Sequence, residues 1–480
     1  MNIKMVGYIL TKILGVEAVL MFLPILVGII YGEREAVYFL VPIALLCLIF
    51  LLGLRKPKHQ EIYAKEGMVI TAFSWISWAL IGAIPFTISG CIPSYIDALF
   101  EMISGFTTTG STILTDIEAL PMCMLFWRSF SHWIGGMGVL VFVMVLTNLD
   151  KNRSMYIARA EMPGPEKDKL APKMSSNVRI LYGMYFALTA IEVVFLLIGG
   201  MDLFDSLVHA FGTAGTGGFS SHSESIAYFN SAYIDGVITV FMILFGVNFG
   251  LYYLALHKDF KSIFKNEELR LYLLIIMVAM VLVTMGIRDN YGSVFEAFRY
   301  ASFQVGAIIT TTGYCTADFA LWPMLLQIII VSLMVIGACA SSTGGGIKVS
   351  RVLLMGKCIH RGVRQMEHPK SVSVIRVNGK KVDNDVLSNL YFYIFAYLAI
   401  LVGSVLLVSL DNMDFTTTVT SVITTMSNTG PGLGAVGPSG NFASFSILSK
   451  LVLSFDMLVG RLEIFPILML FTAGTWRKRF

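Results

Sequence analysis

Charge is the first scarcity in this chain. Only 14% of its 480 residues are Asp, Glu, Lys or Arg, whereas 56% are hydrophobic and the mean hydropathy is +0.75. Soluble domains carry about 25% charged residues, so this balance excludes an ordinary water-soluble globule. Cysteine is sparse too: six residues without paired spacing exclude a zinc ribbon or a disulfide-stapled scaffold. They read as structural, with a Cys91–Cys123 bridge as a weak alternative. The apolar runs hold no paired catalytic acids, no His-Glu-x-x-His and no Ser/His arrangement, which argues against an intramembrane enzyme. The net charge of +4 carries no nucleic-acid signature.

Long uncharged runs fill the space that charge leaves. Residues 36–54 contain no Asp, Glu, Lys or Arg, and as a helix rising about 1.5 Å per residue they nearly cross a hydrocarbon core about 30 Å thick. Ten spans are predicted, at 5–31, 36–54, 67–89, 121–147, 177–200, 231–256, 269–287, 320–362, 386–410 and 444–475. The first lacks a small-residue cleavage site and is kept as a span. The eighth is too long for one straight crossing, and its Gly337–Gly346 run should break it.

Lys and Arg are absent altogether from 89–120, 201–230 and 411–445. They gather instead at Arg55–Lys65, Lys151–Lys173, Lys258–Lys265, Lys348–Lys381 and Arg477–Arg479. By the positive-inside rule both termini are expected in the cytoplasm. Segment 288–320 is less clean, with Arg288 and Arg299.

Each segment on the other side, from 89 onward, has the same internal order. A stretch too short to cross comes first, then a Thr/Gly knot, then the next span. The knots centre on Gly110, Gly218, Gly313 and Gly430, spaced by 108, 95 and 117 residues. Span, short helix, knot and span thus occur four times in one orientation, unlike the inverted repeats of many transporters. The predicted fold is an all-α polytopic membrane protein: four parallel span–pore helix–filter–span repeats around one pore, plus two N-terminal spans. The units are expected at 1–60 (the two added spans), 61–150, 151–265, 266–370 and 371–480. Ser293 with Glu296 fits a capping box, and Asp414 an N-cap, for two of the short helices.

A dehydrated cation needs oxygens in place of its water shell, and backbone carbonyls aimed at one axis provide them. Such backbone calls for glycine at the key position, and threonine adds a hydroxyl acceptor. One knot alone would read as a surface loop or small-residue helix packing. Four of them on one side, each after a short helix, point to filter strands. Gly135-Gly-Met-Gly138 lies inside an apolar span and reads as helix packing.

The motifs Ser104-Gly-Phe-Thr-Thr-Thr-Gly-Ser111, Thr213-Ala-Gly-Thr-Gly-Gly-Phe219, Ile309-Thr-Thr-Thr-Gly-Tyr314 and Thr425-Met-Ser-Asn-Thr-Gly-Pro-Gly432 carry a resemblance. With Ser341–Lys348 and Gly460-Arg461, the chain resembles the bacterial Trk/Ktr potassium transporter superfamily. Two spans before the first repeat favour its TrkH branch over KtrB. The resemblance implies a potassium filter made by Thr108, Thr109, Gly110, Thr216, Gly217, Gly218, Thr311, Thr312, Gly313, Asn428, Thr429 and Gly430. It implies potassium as the bound ion and a gating loop including Gly344, Gly345 and Gly346, for which a simple helix kink satisfied by its neighbours is the alternative. It also implies a homodimer in the bilayer of the bacterial cytoplasmic membrane, above a cytosolic TrkA-type nucleotide-binding subunit. The chain has no nucleotide-binding fingerprint of its own. Potassium flow alone and symport with sodium or protons are both compatible with the sequence, and the lack of a lone acid deep in a span as an obvious proton relay weakens the second.

Arg461 lies mid-span, where an isolated charge is costly and usually functional. It reads either as a barrier in the pore or as a buried salt bridge to another repeat. Lys348 reads as the first residue of a cytoplasmic end, with a pore-facing role as the alternative. His132 and Trp133, with Arg128 nearby, read as an outer-interface anchor. Val372–Val382 alternates around Asn378-Gly379, a hairpin signal that serves either to dock a partner or as a plain loop.

Overall fold

The computed structural model describes all residues except 54, 56, 60, 139–173, 371–372 and 477–480, with backbone alone at 174–179. The expected basic cluster Lys151–Lys173, the end of the predicted fourth span, and Arg477–Arg479 lie outside the described residues.

Two N-terminal crossings come first, α1 (Ile3–Leu20) with α2 (Phe22–Tyr31), then α3 (Leu40–Leu52). The first repeat holds α4 (Ala64–Gly82), α5 (Ile84–Ile88), α6 (Tyr95–Phe106) and α7 (Met122–Gly136). The second holds α8 (Met174–Ile198), α9 (Leu203–Gly215), α10 (Ala232–Phe245), α11 (Phe249–Leu256) and α12 (Phe260–Lys265). The third holds α13 (Glu267–Ile287), α14 (Val294–Ile309), α15 (Met324–Ile336) and α16 (Val349–Glu367). The fourth holds α17 (Asn384–Val408), α18 (Phe415–Ser427), α19 (Ile447–Arg461), α20 (Phe465–Leu470) and α21 (Ala473–Trp476). The chain is thus a helical, multi-pass membrane protein with four repeats, as its hydropathy and motif spacing predict.

The long first helices of repeats two, three and four face lipid, whereas α4 of repeat one is mostly buried. Met285 on α13 and Phe395 on α17 are exposed, as is Leu52 on α3, because apolar side chains need no burial in a bilayer. The largest apolar core joins the N-terminal helices to repeats one and four, and a second lies within repeat three.

The second helices depart from expectation. All four stop after 13 to 15 residues, about 20 Å of rise and too short to cross. Only the break at Gly337–Gly346 was legible in the sequence. The predicted sixth span bends by 91° between α10 and α11. A Cβ at Gly246 would collide with the Tyr272 hydroxyl, and Asn248 caps α11 by accepting from the Gly250 N–H at 2.8 Å. The predicted tenth span breaks after Arg461, where Glu463 and Ile464 take φ of 54° and 72°. Helix α7 ends at the run read as helix packing, with Gly138 at φ 86°. The packing half of that reading holds, since a Cβ on Gly135 would collide with the Phe106 carbonyl.

The hairpin forms at Arg376–Val377 and Lys380–Lys381, with Asn378 and Gly379 both left-handed. It docks on its own chain: the Asn378 N–H donates to Glu267 Oε1 at 2.9 Å. Cys91 and Cys123 are free thiols.

Candidate functional site: a four-strand ring

Each pore helix starts on a side-chain cap. Ser94 accepts from the Asp97 N–H, Asp202 from Asp205, Ser293 from Glu296 and Asp414 from Thr417, at 3.4, 2.6, 3.1 and 2.9 Å. These caps satisfy backbone donors that would otherwise be orphaned at the helix start. The helices end alike. Thr108, Thr216, Thr311 and Asn428 take φ of 54°, 55°, 58° and 54°. The next N–H then closes back on a carbonyl five residues earlier: Thr109 to Ser104 at 2.9 Å, Gly217 to Gly212 at 2.8 Å, Thr312 to Ala307 at 2.8 Å, and Thr429 to Thr424 at 3.0 Å. This is the Schellman pattern, here ended by non-glycine residues. Left-handed threonine costs of order 1–3 kcal/mol, a strain that persists only where the surroundings impose it.

The four strands then meet. Gly110, Gly218, Gly313 and Gly430 are left-handed, with φ of 82°, 77°, 80° and 99°. A Cβ on Gly110 would collide with the carbonyl oxygen of Gly217, one on Gly218 with that of Thr312, and one on Gly313 with that of Thr429. On Gly430 it would lie 2.8 Å from the Thr109 oxygen. In each case the oxygen belongs to the residue before the next strand's glycine, so the order 1–2–3–4–1 closes on itself. All twelve predicted filter residues lie in this ring or the turns leading to it. A cavity of about 140 Å³ is lined by all four glycines and by residues that follow them, among them Ser111, Phe219 and Pro431.

The predicted gating loop lies against the other end of the strands. The Gly345 N–H donates to Thr311 Oγ1 at 2.7 Å and the Gly346 N–H to the Ser427 carbonyl at 3.0 Å. A Cβ on Gly344 would sit 2.6 Å from Ala338 Cβ. Arg461 donates to the Thr343 carbonyl of this loop at 2.6 Å, and to the Gly135 and Gly136 carbonyls at 2.6 and 2.8 Å. The guanidinium therefore ties repeat four to the loop of repeat three and the helix end of repeat one. Its main-chain carbonyl partners were in neither of the two readings.

With this geometry described, relatives can be compared. The TrkH family model, described as a cation transport protein, matches residues 38–477. The Trk system potassium uptake protein TrkH of Escherichia coli K12 is 35% identical over 98% of this chain and 99% of its own. TrkG of the same organism is 31% identical over 99% of each. The crystal structure of the potassium transporter TrkH from Vibrio parahaemolyticus superposes with a TM-score of 0.89, at 32% identity, covering 99% of this chain and 100% of that one. The chain belongs to the TrkH family.

In this TrkH-family chain, several residues around the ring escaped the sequence reading. Arg128 is buried, not an interface anchor. It pairs with buried Glu101 at 2.6 Å, donates to the Ser220 carbonyl at 3.0 Å and lies 3.5 Å from the Phe219 ring centroid. Glu101 also accepts from Thr112 Oγ1 and the Ile113 N–H. The pair thus joins the first pore helix to the strands of repeats one and two. His132 backs the same strands, its Nδ1 2.7 Å from the Gly105 carbonyl. Trp133 stacks on Phe130 at 5.7 Å within an aromatic group. A charge inside an apolar helix is the signal in the sequence that points to Arg128. Lys348 stands at the start of α16 and forms a 3.3 Å ion pair with Glu463, which also binds Arg351. Five acids among the described residues are buried within predicted spans: Asp235 is ion-paired with Arg299 and Glu463 with Lys348, and Glu17, Glu192 and Asp456 join them against expectation, the last accepting from Ser404 at 2.7 Å.

Proposed function

We propose that this chain takes up potassium through the ring of four strands. The closed succession of glycines and neighbouring carbonyls carries this reading, since it brings four sets of main-chain oxygens to one axis. Those oxygens replace the hydration shell of a dehydrated cation. The pore-helix C-termini converge on the strands, and their partial negative charge favours a cation there. The ion is cargo, bound at Thr108–Gly110, Thr216–Gly218, Thr311–Gly313 and Asn428–Gly430. The naming of relatives as potassium uptake proteins agrees with this chemistry.

Loop 337–346, including Gly344, Gly345 and Gly346, is the constriction in this reading, and Arg461 holds it in place. The basic segments put the side away from the pore-helix N-termini, and both chain ends, in the cytoplasm. A homodimer regulated by a cytosolic TrkA-type nucleotide-binding subunit completes the proposal, consistent with the lack of a nucleotide fingerprint in the chain.

Symport with protons or sodium is the second reading. Buried Glu192 and Asp456 favour it, because acids inside spans often mark ion or proton paths. Purified protein in liposomes, with potassium, sodium and proton gradients varied separately, decides between them. A reversal potential that follows potassium alone supports uncoupled flow. A reversal potential that shifts with sodium or pH at fixed potassium supports symport.

A further inference from the structure

The bend between α10 and α11 turns the second half of a broken span into a surface feature. Helix α13 then starts at Glu267 an apolar crossing of full length, so its first turn, and α12 just before it, lie at the membrane boundary. Here Leu256, Phe260 and Phe264 are exposed at steps of four residues, with exposed Lys258, Lys261 and Lys265 beside them. The local acid, Asp259, is engaged with Ser262, accepting its N–H at 3.2 Å and its hydroxyl at 2.7 Å. Apolar and aromatic side chains among lysines, at the boundary depth, match the composition of an interfacial segment on an anionic bilayer.

The same elbow is bonded to loop 337–346. The Phe249 N–H donates to the Ser341 carbonyl at 3.0 Å and the Cys339 N–H to the Gly246 carbonyl at 3.1 Å. Thr343 Oγ1 donates to the Phe245 carbonyl at 3.2 Å. We propose that the α11–α12 elbow binds acidic phospholipid headgroups through Lys258, Lys261 and Lys265, and that this contact keeps loop 337–346 seated and lowers unregulated cation flux. The second half rests on the proposed role of the loop as the constriction.

The test uses the full chain in vesicles of phosphatidylcholine alone or with phosphatidylglycerol. A photo-crosslinking residue replaces Phe264, in the wild-type background and in K258Q/K261Q/K265Q. At least threefold stronger crosslinking to phosphatidylglycerol than to phosphatidylcholine is expected, and the triple variant should lose that preference. Equal crosslinking to both lipids, or crosslinking to a soluble protein in native membranes, overturns the proposal. Flux is then compared between the lipids in wild type and in the triple variant, which cancels the effect of bulk surface charge. Wild type should fall about threefold relative to the triple variant when phosphatidylglycerol is present. Selective crosslinking with no such difference overturns the link to the loop. A shortened loop 337–346 serves as control: if shortening still raises flux, the constriction reading survives and only the lipid link fails.

Discussion

Gly110, Gly218, Gly313 and Gly430 do the same task under unequal constraint. At the first three, an added methyl strikes a main-chain oxygen; at Gly430 the nearest such oxygen is 2.8 Å away. Alanine at Gly110, Gly218 or Gly313 should therefore lower the potassium-to-sodium permeability ratio about tenfold or more, as a left-handed alanine alone costs about 1–2 kcal/mol. Gly430→Ala should be milder. Reversal potentials in liposomes measure this, and a Gly430 variant as damaged as the others would refute the ordering. Arg461 invites a sharper contrast. It makes three directional bonds to carbonyls of two different repeats, a geometry that a lysine ammonium cannot reproduce. Arg461→Ala should raise flux per folded molecule several-fold, and Arg461→Lys should restore only part of the restraint. Slower flux in a stable alanine variant would count against a restraining role.

Among the elements, the loop and the third filter strand share a bond that can be removed at nearly constant shape. Thr311 Oγ1 accepts from the Gly345 N–H. Thr311→Val leaves that donor buried without an acceptor, at a cost of about 1–3 kcal/mol for the seated loop. Unregulated flux should rise by about fivefold or more, with little change in thermal stability of the whole protein. Unchanged flux in a folded variant would mean that the loop does not limit passage. The four short second helices make this arrangement feasible. Backbone that leaves the helical path at membrane depth is tolerated where protein or a water-filled path surrounds it, and here all four breaks occur on the loop side of the ring.

Across the whole molecule, repeats are held together by polar contacts that span long sequence separations. Among the ion pairs of the described residues, Glu101–Arg128 is the most enclosed, at 0% and 1% side-chain exposure. Removing one partner strands a buried charge, so Arg128→Met should cost about 3–5 kcal/mol. The double variant Glu101→Leu/Arg128→Met should recover part of that loss. Thermal unfolding in detergent is the measurement, and a double variant less stable than either single one would contradict the pairing argument. Some of this was legible from residues alone. The glycine spacing located all four strands, and the scarcity of Lys and Arg around them separated the two faces. The ties that join repeats, such as Asn428 Nδ2 to Thr109 Oγ1 at 2.9 Å across 319 residues, had no local signal to betray them.

The sequence by itself determined the membrane class, the number of repeats, the caps of two pore helices and the glycine positions. These follow from hydropathy, side-chain capping and backbone freedom, which act over a few neighbouring residues. The breaks in α7, α10 and α19, the carbonyl partners of Arg461, and the closure of four strands into one ring were decided only in the tertiary structure. Each depends on which surfaces of different helices and strands meet once the chain is folded. The 91° turn after Phe245, for example, accompanies the Tyr272 hydroxyl against Gly246, a contact between helices that hydropathy along one of them cannot register.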